Sequence, residues 1–290
     1  MRRFDLVEPK TLHEACVALG VDEDVKVIAG GTALLTIIKQ GLLSPKILVN
    51  LKKIGDASEI SFTAQQGLRI GALATISEIE TSPIVKQHYR ALGEACHVVA
   101  NIRIRNMATI GGNLAHGDYQ SDPPTVLAAL NANVEITSQR GTREVPLSEF
   151  QRGSYETALV PGELITAISI PPLPQGFEGV YIKFTTGSSE ERPCAGIAAL
   201  ARMENGICQE LRLAVGAVSQ RPQRITSSEE MARGKNLNAE LIELIAAEAA
   251  RVVDPIEDVR GPADYKRHLV QVLTRRAIAA TTSGGVEVTQ

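Results

Sequence analysis

The sequence predicts an α+β protein in two parts, and three observations carry that prediction. The first fifty-odd residues alternate helix, strand, glycine turn, helix and strand, and a similar rhythm resumes at Gly67. After Gly179 the order changes to a run of strands followed by two helices, the pattern of a separate α+β domain. The chain has 290 residues, 44% hydrophobic and 22% charged, which suffices for two domains with real cores.

The elements follow in order. In "VEPKTLHEACVALG" Thr11 stands as the cap of a helix with apolar Leu12, Ala15, Cys16 and Leu19, and Gly20 stops it. "VKVIAGG" reads as a short buried strand running into two glycines. "TALLTIIKQG" reads as a helix capped by Thr32 and ended by Gly41, and "KILVNL" as a second buried strand. "GLRIGALA" is strand-like, and "TISEIETSPIVKQHYRALGEACHVVA" is helical with an interruption at Pro83. "NIRIRN" alternates as a strand, with Arg103 and Arg105 on one solvated face.

A loop, "TIGGNLAHGDYQ", leads into the helix "PPTVLAALNANV", for which Asp122 is a natural cap and the prolines suit the first turn. "VEITSQRGTREVPL" makes a hairpin at Arg140–Gly141, "GELITAISIPP" is a closing strand and "LPQGFEG" a linker or hairpin tip. Beyond it come three or four antiparallel strands, with a hairpin turn at Glu204–Asn205–Gly206, then helices in "NAELIELIAAEAARVV" and "GPADYKRHLVQVLTRRAIAA". The tail "TTSGGVEVTQ" has little to bury and is expected to fray.

Composition excludes several functions. Aromatics are 3% with no Trp, and the net charge is −3, so nothing suits stacking on bases or neutralising a phosphate backbone. Cys16, Cys96, Cys194 and Cys208 show neither CxxC nor metal-finger spacing, and read as scattered buried thiols of a reducing cytoplasm. The two N-terminal arginines are followed by no apolar signal segment, and no apolar run is long enough for a bilayer. No membrane insertion and no nucleic-acid partner are expected.

The chemistry lies in two glycine pairs. Gly30 and Gly31 stand between a strand and a helix, where outward backbone N–H groups form a nest for an anion. The pattern is neither GxGxxG nor GxxxxGK[ST]. Gly111 and Gly112 permit close backbone approach, with Thr109 and Asn113 beside them to hydrogen-bond. Asp122 either caps the next helix or accepts from ribose hydroxyls. His116 and Asp118 have no third ligand at metal spacing and read as loop residues. Two such loops in one α/β region suit a ligand with two linked phosphates, a dinucleotide.

"VIAGGTALL" and, roughly eighty residues later, "TIGGNLAHGDYQSDPP", with "GELITAISIP" and "YIKF" after them, resemble the paired signature of the FAD-binding medium subunits of the molybdenum hydroxylases. These are the carbon monoxide dehydrogenase and xanthine dehydrogenase types. The resemblance covers the whole chain. It implies a two-lobed FAD-binding domain of the vanillyl-alcohol-oxidase (PCMH) type, with lobes at 1–56 and 57–176. A small C-terminal domain at 177–282 and a flexible tail at 283–290 complete the chain.

It also implies the cofactor contacts. Val27, Ile28, Ala29, Gly30, Gly31, Thr32, Ala33 and Leu34 match the first pyrophosphate loop. Thr109, Ile110, Gly111, Gly112 and Asn113 match the second. Asp122 matches an acidic residue near the adenosine half, Ile165 an apolar neighbour of the cofactor, and Lys183 a lysine close to the flavin. The family often has K-x-x-x-R here; this chain has Gly187 at the arginine's place, with Glu190, Glu191 and Arg192 nearby. Arg103 and Arg105 become candidates for contact with an iron–sulfur partner or an FAD phosphate.

The function implied is electron transfer without a side-chain acid or base, since the cofactor carries the redox chemistry. Molybdopterin is expected on a large partner subunit and [2Fe–2S] clusters on a small one, in a dimer of heterotrimers that delivers electrons to an external acceptor. The alternative is a stand-alone FAD-dependent oxidase or reductase of the same fold, for which His116 is the one candidate flavin attachment point in the loops.

Overall fold

The computed structural model describes residues 2–20 and 24–282; the expected frayed tail lies outside them, apart from Thr281 and Thr282, which end the last helix. Strands Asp5–Val7, Val25–Ile28 and Ile47–Asn50 form a parallel sheet with Ile47–Asn50 in the middle. Parallel neighbours need crossover connections. Helices Leu12–Leu19 and Leu34–Lys39 supply them. Thr11 caps the first helix by accepting from the Glu14 N–H, as the sequence indicates. The second departs from expectation: its cap is Ala33, with no side-chain bond, and the Thr32 carbonyl instead accepts from the Thr36 hydroxyl.

The second sheet is antiparallel, in the order Ile60–Thr63, Gly67–Gly71, Leu164–Ile170, Asn133–Ser138, Gly141–Pro146. The "GELITAISIPP" strand therefore lies at its centre and is buried along nearly its whole length. Against this sheet pack helices Ile76–Thr81, Pro83–His88, Arg90–His97, Ile110–His116 and Pro123–Ala129. Pro83 interrupts the first of these because Ser82 ends one helix and caps the next, with proline at the first helical position.

The third sheet is a meander of Phe177–Phe184, Ala195–Glu204, Ile207–Gly216 and Gln223–Arg224. Asn205 and Gly206 both have positive φ, at 52° and 77°, which is the twist that a two-residue hairpin turn requires. Ala195–Ala201 is buried without interruption because both faces are covered. Ala198 and Leu200 join the core of the preceding part, whereas Ile197 and Ala199 face helices Ala239–Val252 and Ala263–Thr282. Several short elements had no signal in the sequence reading, among them strands Asp5–Val7 and Ile60–Thr63, helix Thr226–Ala232 and the strand pair Gln151–Gly153 and Glu156–Thr157.

Two further expectations are corrected. "NIRIRN" is not a strand: Asn101 accepts from the Ile104 N–H and caps the helical turn Ile102–Arg105. Arg103 is exposed, while Arg105 turns inward, its Nε 2.8 Å from Glu80 Oε2 and its Nη1 donating to the Val99 and Ala100 carbonyls. That arginine closes a tight backbone turn, since Ala100 has φ +43°. "TIGGNLAH" is likewise not a loop but helix Ile110–His116, capped by the Thr109 hydroxyl accepting from the Gly112 N–H at 3.1 Å. Among the described residues no helix is long and apolar enough to cross a membrane.

Candidate functional site

The two glycine pairs meet, and steric exclusion explains why both are glycine. A Cβ on Gly30 would stand 2.0 Å from the Met107 carbonyl oxygen and 2.9 Å from Ala108 Cα. The first loop thus crosses the 107–108 backbone at a separation that no side chain allows. Gly111 performs the same service one step further in. Its Cβ would lie 2.6 Å from Ala72 Cβ, and its N–H donates to the Ala72 carbonyl at 2.9 Å. The Ile76 N–H to Ala108 carbonyl and Ile110 N–H to Ala74 carbonyl bonds complete the bridge between these segments.

This accounting separates the two loops chemically. In the second, the N–H groups of Ile110, Gly111, Gly112 and Asn113 are all consumed, by Ala74, Ala72 and Thr109. Its glycines serve packing. In the first, the N–H groups of Gly30, Gly31, Thr32 and Ala33 have no protein acceptor among the described residues, and Gly31 has φ +74°. Consecutive unpaired amides in such a turn are an anion-binding nest.

The crossing opens into a cleft of ≈ 320 Å³. One wall is Val27 to Leu34 with Ile37 and Leu51; the other is Ala72, Leu73, Ala108, Thr109, Gly111, Gly112, Asn113, Ala115 and His116. Leu159, Glu163, Leu164 and Ile165 close the end. The Glu163 carboxylate is neutralised within the wall by Arg143, whose Nε and Nη2 each donate to it at 2.8 Å. A second cavity of ≈ 230 Å³ shares Ala29, Gly30, Leu73 and Thr109 with the cleft and is lined further by Lys52, Ile54, Gly55, Ser58, Thr75, Glu78, Asn106 and Met107.

Thirteen of the sixteen expected cofactor residues line this space; Ile110, Asp122 and Lys183 do not. Ile110 is wholly buried in the core. Asp122 does not cap its helix, because its own backbone is helical and its side chain points away to other partners. Its carboxylate accepts from Tyr181 Oη at 2.9 Å and from Lys183 Nζ at 3.3 Å, and Lys183 also donates to the Val98 carbonyl at 2.7 Å. Both side chains of the ion pair are 5% exposed. Burial pushes the Asp122 carboxyl up to about 6, while Lys183 and Tyr181 pull it down. The trio fastens helix Pro123–Ala129 to the third sheet and to the turn that precedes the cleft.

His116 is the residue that the sequence reading undervalued. It lines the cleft from the last turn of its helix, 5.1 Å from the Tyr155 ring. Burial pushes its pKa down, against the pull of Asp118. The native imidazole thus resists a proton that the unfolded chain accepts below about 6.5. Stability should fall as the pH drops through that value, because the unfolded state then binds more protons. Denaturation midpoints against pH should show this slope in the wild type and a shallower one in His116→Gln.

Arg192 is not a free cation beside Gly187: its Nε lies 2.6 Å from Asp118 Oδ2. Glu190 accepts from Asn101 Nδ2 at 3.1 Å. Cys16, Cys96, Cys194 and Cys208 are free and buried, with burial pushing each thiol pKa up. Such thiols are inert rather than nucleophilic.

The residues present fit a flavin dinucleotide. An amide nest meets the demand of linked phosphates, two glycine contacts keep the crossing open to backbone approach, and apolar walls extend to an end formed by Leu159, Leu164 and Ile165. Comparison with known proteins agrees. Residues 2–173 match the family model of the FAD binding domain in molybdopterin dehydrogenase, and 187–281 that of the CO dehydrogenase flavoprotein C-terminal domain. The glyceraldehyde dehydrogenase medium chain of Sulfolobus acidocaldarius is 32% identical, over 94% of this chain and 96% of the relative. The xanthine dehydrogenase FAD-binding subunit of Escherichia coli O157:H7 is 30% identical over 95% of each. A solved structure of carbon monoxide dehydrogenase from Hydrogenophaga pseudoflava, lacking the Mo-pyranopterin moiety of its cofactor, superposes with a TM-score of 0.92 at 31% identity, covering 97% of each chain. The chain belongs to the FAD-binding subunits of the molybdopterin dehydrogenases, the oxidoreductase family that includes the carbon monoxide dehydrogenase medium chain and the xanthine dehydrogenase FAD-binding subunit.

Proposed function

We propose that this chain is the flavin leg of an electron relay. Substrate oxidation takes place at a molybdopterin centre on a large partner subunit, and [2Fe–2S] clusters on a small partner carry the electrons to FAD held here. From there they leave to an external acceptor. Two partners of each kind with two copies of this chain, in a dimer of heterotrimers, would complete a cytoplasmic enzyme.

The observation that carries this reading is the crossing of Gly30 over Met107–Ala108, which leaves the Gly30–Ala33 amides without protein acceptors at the mouth of an apolar cleft. When bound, FAD supplies exchange of electrons between one-electron and two-electron partners. The chain's own task is then to bind, orient and shield it. Within Val27 to Leu34, the Gly30–Ala33 N–H groups would hold the pyrophosphate, with Thr109 and Asn113 on the facing wall. Ile165, on the cleft wall, would pack against the cofactor. Asp122, Lys183 and Ile110 act from beneath, by fixing the segments that form the wall.

The test is purification of the tagged chain from its native host. Co-purification with a molybdopterin-type chain and a cysteine-rich small chain is expected, with acceptor reduction lost on flavin removal and regained with FAD. A chain that purifies alone and turns over substrate by itself would instead identify a stand-alone flavin oxidase or reductase.

A further inference from the structure

Among the described residues, the charges around the cleft leave one cation without a carboxylate. Lys52 is the only lysine or arginine among the described residues that lines either the main cleft or the second cavity. It stands in the helical turn Leu51–Lys53 directly after strand Ile47–Asn50, where the Asn50 side chain accepts from its backbone N–H at 3.2 Å. Its neighbour Lys53 is spoken for, 2.7 Å from Glu8 Oε2, whereas the Lys52 ammonium forms no ion pair among the described residues. The acidic groups of the same space are engaged. Glu163 is held by Arg143, and Glu78 Oε2 accepts from both the N–H and the hydroxyl of Thr75 in a capping box.

The cavity that Lys52 lines borders the first glycine loop, because it shares Ala29, Gly30 and Thr109 with the main cleft. Four amides solvate an anion by dipoles but neutralise no charge, and a pyrophosphate diester carries two negative charges near neutral pH. We propose that Lys52 is the counter-charge of the cofactor's pyrophosphate, a binding residue on the first lobe that acts beside the glycine loops. This inference rests on the cleft being the FAD site.

The interaction is solvent-facing, so its signature is a salt dependence as much as an affinity. The complex, stripped of flavin, is titrated with FAD by fluorescence quenching at several ionic strengths, in the wild type, Lys52→Met and Lys52→Arg. Lys52→Met should weaken FAD binding about tenfold at low salt, with a smaller loss at high salt. Lys52→Arg should restore most of the affinity. Inorganic pyrophosphate should compete with FAD for the wild type and much less for Lys52→Met, whereas uncharged riboflavin should bind both alike.

Equal FAD affinity in wild type and Lys52→Met overturns the inference alone. An unchanged affinity with a lowered flavin midpoint potential also overturns it, by placing the ammonium at the flavin ring instead. A wild-type complex that cannot be reconstituted with FAD overturns the inference together with the site on which it rests.

Discussion

Asp122→Ala is expected to destabilise the protein by about 3–5 kcal/mol, the cost of leaving a buried charge without its partner. The substitution strips Lys183 Nζ of its carboxylate and the Tyr181 hydroxyl of its acceptor, at a place where both charged side chains are 5% exposed. The loss should be global rather than local. The trio joins helix Pro123–Ala129 to strand Phe177–Phe184, and Lys183 reaches on to the Val98 carbonyl, so the cores of the second and third sheets are coupled through it. The denaturation midpoint in urea should fall without a large change in slope.

A double variant, Asp122→Leu with Lys183→Met, separates charge from packing. It removes both ions together and should recover more than half of the loss, because no uncompensated charge remains. An Asp122→Ala variant within about 1 kcal/mol of the wild type would show that the ion pair is not the fastener described here.

Gly30→Ala should close the site with little other change in the chain. The new methyl would stand 2.0 Å from the Met107 oxygen and 2.8 Å from its carbonyl carbon, both backbone atoms that cannot rotate aside. The two segments must part, at an overpacking cost of about 1–3 kcal/mol. Spent on the cleft's geometry, that equals a loss of roughly ten- to a hundredfold in FAD affinity. Gly55→Ala is the matched control: it lines the neighbouring second cavity with no atom within 4 Å of its added Cβ, and should bind FAD as the wild type does. Equal FAD titrations for Gly30→Ala and the wild type would remove the crossing from the account.

Most of the architecture was legible because its signals are local. Thr11 and Gly20 bracket a helix, Asn205–Gly206 fixes a hairpin, and the apolar run of Ala195–Ala201 marks a strand covered on both sides. That the two glycine pairs belong together was legible, though not their division of labour. Only the spatial neighbours Met107 and Ala72 show that Gly30 and Gly111 exist for close approach, and that the open amides belong to the first loop alone.

The misreadings share one cause, tertiary partners that local pattern cannot name. Asp122 precedes two prolines, which reads as a cap, but Tyr181 and Lys183 claim its carboxylate from some sixty residues away. Arg105 alternates with Arg103 as in a strand, yet Glu80 draws it inward on a helical turn. His116 sits where neither spacing nor a second ligand would mark it. Its place on the cleft wall follows from the length of helix Ile110–His116, which no loop reading contains.

The central claim is that the two crossed glycine segments build an FAD site, and the flavin content of the purified complex tests it most directly. The protein is denatured, and the released flavin is identified by chromatography and quantified against the chain. FAD equimolar with this chain, and strongly depleted in Gly30→Ala but not in Gly55→Ala, is the predicted result. A flavin-free complex that FAD cannot reconstitute, or full FAD content in Gly30→Ala, would contradict it.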